Sequence, residues 1–114
     1  MVAAEGRMQV VERHGERRQW GLLSSHGQVL VYVTAHPDVT VRGLANALNF
    51  SERRIMGVLR DLEQSGMLRR ERRGRQNRYL VNEQAGVRAP EANNLPLHDL
   101  LAVLVPPGRR EAAP

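Results

Sequence analysis

Residues 51–82 read SERRIMGVLRDLEQSGMLRRERRGRQNRYLVN. Ile55, Val58, Leu59 and Leu62 recur at helical spacing behind Ser51, a residue type that caps helices by accepting a backbone amide hydrogen bond. Gly66 stands where a left-handed residue ends such a helix. Met67 to Arg73 and Arg78 to Asn82 then read as two strands around Gly74-Arg75-Gln76-Asn77, with Tyr79 and Val81 alternating against Arg78 and Leu80. Nine arginines fall here against Glu52, Asp61, Glu63 and Glu71, an excess of five that equals the formal charge of the whole chain. Surplus charge confined to one segment is expected where a polyanion lies against a protein, and duplex DNA is the first candidate.

Upstream, Thr40 caps a second helix through Asn49, with Val41, Leu44, Ala45 and Leu48 on one face. Asn49-Phe50 breaks it before Ser51. Two short amphipathic helices so closely joined make a helix-turn-helix unit. Asp38 to Thr40 reads as short and extended. The stretch HGQVLVYVTAH at 26–36 carries strand propensity in its Val, Tyr and Thr content. Val29, Leu30 and Val33 nevertheless share a helical face, and Ser24, Ser25 and Pro37 suit helix boundaries, so helix is the favoured of two open readings. Residues 1–19 read as a polar, flexible N-terminal tail, with Met8 to Val11 a weaker strand candidate.

Downstream, residues 83–94 read as a linker. Pro96 suits the first turn of a last helix within 95–105, where Leu97, Leu100, Leu101 and Leu104 line one face. Four leucines must be buried somewhere. They can fold back near Trp20 or meet a second subunit, and the second is favoured because palindromic duplex sites suit twofold dimers. Pro106-Pro107-Gly108 stops the helix, and 106–114 reads as a disordered tail.

Composition narrows the chemistry. With 114 residues, 41% of them hydrophobic and 25% charged, the chain can build one modest globular domain. No cysteine is present, which excludes disulfides, thiolate metal sites and cysteine nucleophiles. The apolar runs are too short to span a bilayer, and the N-terminus lacks the apolar core of a signal peptide, so a cytoplasmic location is expected. His14, His26, His36 and His98 are scattered, and no metal or other cofactor is expected. Ser24-Ser25-His26 has no partners for nucleophilic chemistry, and Arg-Gly-Arg is a turn rather than a phosphate loop, so no catalytic residues are expected. All seventeen basic residues are arginine, which codon bias in a GC-rich genome explains better than function does, so the usage alone does not argue for function.

In order, these elements are helix, short extended segment, helix, turn, helix, Gly, basic hairpin. The run TVRGLANALNFSERRIMGVLRDLEQSGMLRRERRGRQNRY resembles the winged helix-turn-helix of small bacterial regulators in the MarR and ArsR superfamily. The resemblance covers roughly residues 22–82, within a domain placed at 20–82, and implies a mainly α fold with a small antiparallel β-hairpin. It also implies that 26–36 is the first helix, that the 51–65 helix enters the major groove, and that the 69–78 hairpin grips the backbone or adjacent minor groove. Gly57 stands where many relatives carry a polar or basic reader. Only the 97–105 segment is left to replace the long dimerising helices of larger relatives.

On the helix, Arg53, Arg54, Met56, Gly57 and Arg60 oppose the apolar face. Arginine can bridge guanine O6 and N7, and methionine can meet a thymine methyl, so Arg53, Arg54 and Met56 are the base-edge candidates. Gly57 can admit a close approach of backbone to sugar-phosphate. Amides organised by Ser51 can hold a phosphate. Arg72, Arg73, Arg75 and Arg78 crowd like charge in a short hairpin, a cost that a polyanion relieves. Gln76 and Asn77 at its tip can hydrogen-bond phosphate. The expectation is a non-enzymatic, homodimeric regulator on double-stranded DNA. The alternative is a winged-helix adaptor whose basic hairpin meets an acidic protein surface.

Overall fold

The computed structural model describes residues 21–106 and 108, and its first helix begins at the serine pair. Helix α1 spans Ser25–Ala35, and the Ser24 hydroxyl accepts the Gly27 amide at 3.1 Å. Its Val29, Leu30 and Val33 are buried. A strand would have sent Val29 and Leu30 to opposite faces, so burial of both decides the open reading for helix despite the β-branched content. The expected tail at 1–19, its strand candidate and Trp20 lie outside the described residues.

Helix α2 spans Val41–Leu48, capped by Thr40, whose hydroxyl accepts the Gly43 amide at 2.9 Å. Asn49 adopts the left-handed conformation (φ 61°) and turns the chain into α3, Glu52–Gln64. Gly66, with φ +83°, closes α3: the Met67 amide reaches back to the Leu62 carbonyl at 3.1 Å and the Gly66 amide to Glu63 at 3.1 Å. This is a glycine-terminated helix end of the Schellman type.

Strands β1 (Leu68–Arg73) and β2 (Gln76–Val81) pair antiparallel, with Leu68 opposite Val81 and Arg73 opposite Gln76. The turn is therefore the two residues Gly74 and Arg75, not the four expected. Only Gly74 has positive φ (62°), the pattern of a type II′ turn, which matches strand twist and lets pairing continue to the tip. Gln76 and Asn77 consequently belong to β2. On the outer edge of β2 the Tyr79 amide donates to the Pro37 carbonyl at 2.9 Å, so the extended 37–39 segment borders the hairpin.

The segment expected as a linker, 83–94, is largely a second hairpin. β3 (Gly86–Ala89) pairs with β4 (Ala92–Pro96), and helix α4 follows at Leu97–Leu104. Hydrogen bonds from the Leu97 amide to Ala85 and the His98 amide to Glu83 tie the hairpin's two ends together. That closure carries α4 back onto the domain. Leu97 (3% exposed), Leu101 (1%) and Val105 (2%) share one core with Val29, Leu44, Ile55 and Tyr79. The four leucines thus do not act alike, and Leu97 and Leu101 are removed from the expected dimer face. Leu100, Val103 and Leu104 remain exposed. No helix among the described residues is long and apolar enough to cross a membrane.

Candidate nucleic-acid interface

The Ser51 hydroxyl accepts the Arg54 amide at 3.0 Å and so fixes where α3 begins. With Ile55, Val58, Leu59 and Leu62 in the core, α3 turns Arg53, Met56 and Arg60 to solvent. Spacings of three and four residues place these side chains in one stripe along the helix. Gly57 adjoins Met56, and a methyl group at its Cα would meet nothing within 4 Å. Among the described residues no packing requires a glycine there.

The acids of α3 are engaged by other elements. Glu52 pairs with Arg42 of α2 at 3.4 Å, Asp61 with His26 of α1 at 2.8 Å, and Glu63 with Arg70 of β1 at 3.2 Å. Among the described residues neither Arg53 nor Arg60 has an ion-pair partner. The stripe therefore shows uncompensated positive charge rather than a self-neutralised face. Arg54 lies to one side, its guanidinium carbon 4.2 Å from the centroid of the Phe50 ring.

Within the hairpin, alternation sorts the arginines. Leu68, Arg70 and Arg72 share one face of β1, while Arg69, Glu71 and Arg73 share the other. The Arg72 Nε donates to the Gly74 carbonyl at 3.0 Å, and Arg73 approaches Glu71 at 3.5 Å. Arg75 and Gln76 are exposed at the tip, and Arg75 has no ion-pair partner among the described residues. Asn77 is half-buried on the side of Tyr79. Burial pushes the Tyr79 phenol above its ordinary value, with nearby Arg70 opposing. Arg78 differs from the rest: its Nη1 donates to both Asp38 carboxylate oxygens at 3.0 Å, and its side chain is 15% exposed.

Ser51, Arg53, Met56, Gly57 and Arg60 thus gather on α3, with Arg54 at its rim. Arg72, Arg73, Arg75 and Gln76 gather at the far end of the hairpin, while Asn77 lies on the Tyr79 face and Arg78, on the other, is held by Asp38. Two features escaped the linear reading. Arg42, with an 80% exposed side chain on α2, offsets the charge of Glu52 at the start of α3. Asp38 meets Arg78 across forty positions, a pairing that no local signal announces.

A MarR family model matches residues 20–78, just over half of the chain. The chain belongs to the MarR family. Its matched span covers α1, α2, α3, β1 and the first half of β2, and stops short of the second hairpin and α4. The family is one of winged-helix transcription regulators that bind DNA, not of enzymes. Comparison with curated proteins and with solved structures gives no match.

Proposed function

We propose that the chain is a sequence-specific regulator of transcription, with α3 in the major groove of duplex DNA and the β1–β2 wing on the flanking backbone or minor groove. The observation that carries this reading is the Arg53–Met56–Gly57–Arg60 stripe, free of acid pairing, beside a hairpin tipped with Arg75. Arg53, Arg54 and Met56 address base edges, and Gly57 lets the helix sit deep. The capped amides of Ser51 and the side chains of Arg60, Arg72, Arg73, Arg75 and Gln76 position phosphates. Members of the family usually dimerise. A twofold dimer here uses the exposed Leu100, Val103 and Leu104, because Leu97 and Leu101 are spent on the core.

Selection of bound fragments from a random duplex library, followed by titration of a selected and a scrambled duplex over a salt series, tests the proposal. Preference for the selected site should persist as salt rises, while binding to the scrambled duplex collapses. An adaptor for an acidic protein surface would bind both duplexes weakly and alike.

A further inference from the structure

We propose that Arg78 is a positioning residue of the interface rather than a DNA contact: its ion pair with Asp38 sets the direction of the wing against the helix-turn-helix. This rests on the duplex-binding reading above. Asp38 lies in the segment that leaves α1, two residues before Thr40 caps α2. One short run of chain therefore both starts α2 and holds β2. The hold has two parts side by side, the Arg78–Asp38 pair at 3.0 Å and the Tyr79 amide to the Pro37 carbonyl at 2.9 Å. Pro37 is itself buried.

Exposure separates Arg78 from its neighbours. Its side chain is 15% exposed, against 47% for Arg70 and 56% for Arg73. A guanidinium so far withdrawn interacts with its carboxylate under weaker solvent screening than a surface pair does. A charge meant for phosphate gains nothing by being drawn back against a half-exposed carboxylate, whereas a brace does. A two-stranded hairpin is marginal by itself, so the aim of Arg73 and Arg75 depends on what anchors its strands. β1 is tied to α3 through Arg70 and Glu63, and β2 to the α1–α2 segment through Arg78 and Asp38. With the second tie cut, the tip arginines lose their fixed reach and must be ordered on binding, which weakens affinity.

The two roles of Arg78 predict opposite signs for Asp38→Asn in the full chain. If Arg78 touched phosphate, removing a neighbouring carboxylate would make the surface more positive, so binding would tighten or hold. A brace requires the reverse. Duplex affinity should fall about tenfold, as for other coupled contacts, although the variant is the more positive protein. The slope of log affinity against log salt should flatten by about 0.9 for each wing phosphate lost, to about 1.8 for two. A smaller folded fraction would scale the affinity and leave the slope alone, so the slope separates positioning from general destabilisation. Asp38→Glu, which keeps the carboxylate, should recover most of both quantities. Equal or tighter binding by Asp38→Asn, or an unchanged slope, overturns the brace, as does a failure of Asp38→Glu to recover. A wild-type chain that binds no duplex at all sinks the regulator reading together with the brace.

Discussion

The guanidinium of Arg54 stacks 4.2 Å from the Phe50 ring centroid, across the turn joining the two helices of the helix-turn-helix. Such a stack holds an otherwise mobile side chain at the rim of the α3 stripe, a contribution of about 0.5–1 kcal/mol at an exposed site. Phe50→Leu keeps apolar bulk and removes the ring. Affinity for the selected duplex should fall about threefold, as loss of an interaction of that size implies. Unchanged affinity would show that Arg54 contributes nothing in its stacked position.

Gly57→Ala separates stability from binding. A methyl there meets nothing within 4 Å among the described residues, and alanine favours an interior helical position by about 1 kcal/mol. Chemical denaturation should show a gain near that size. Duplex affinity should nevertheless drop, because the methyl stands where the groove approaches. A variant more stable and equally tight would remove close backbone approach from the interface.

At the wing tip, Arg73→Ala combined with Arg75→Ala should flatten the salt slope by about 1.8 if each holds one phosphate. Stability should barely move, since the Arg73–Glu71 pair at 3.5 Å is solvent-exposed and such pairs contribute about 0–1 kcal/mol. If affinity and slope are both untouched, the hairpin does not meet DNA.

Tyr79 gives the fold an alkaline limit. Burial raises its phenol above the ordinary 10.0, and Arg70 only partly offsets this. The unfolded chain therefore ionises first. The stability associated with Tyr79 is complete below pH 10 and is lost as pH rises through the folded-state value. The chain has no lysine and one other tyrosine, so few groups obscure that window. Urea midpoints measured against pH should decline in the alkaline range, and Tyr79→Phe should lessen the decline. An identical decline in the variant would rule Tyr79 out as its source.

The last helix should divide cleanly. Leu101→Ala opens a cavity in the shared core and should cost about 2–5 kcal/mol. Leu100→Glu with Leu104→Glu changes surface positions and should alter monomer stability by only about 0.5 kcal/mol each. Light scattering should then show a dimeric wild type and a monomeric double variant. A wild type already monomeric at micromolar concentration would end the proposal that this face pairs subunits.

Local chemistry made much of this molecule legible in advance. Ser51 and Thr40 cap the helices they precede, Gly66 ends α3, and Ile55, Val58, Leu59 and Leu62 turn inward together. Each of these depends on neighbours within a few residues, where spacing and residue type are sufficient. The 83–94 segment failed that test because its strands are short and rich in Asn, Ala and Gly, with little alternation to mark them. Its pairing rests on closure by Leu97 and His98 amides that lie beyond the hairpin.

From the residues alone came the order of helices and hairpin, the basic surplus in one segment, and the apolar stripe that α3 must bury. Periodicity and charge are properties of short stretches, so a linear reading captures them. Only the folded chain decided which arginines remain available and which are held, as Asp38 holds Arg78 and Glu63 holds Arg70. It alone divided the leucines of α4 between the core and solvent. Those outcomes depend on side chains meeting across long stretches of sequence, and such meetings are set by packing geometry rather than by local spacing.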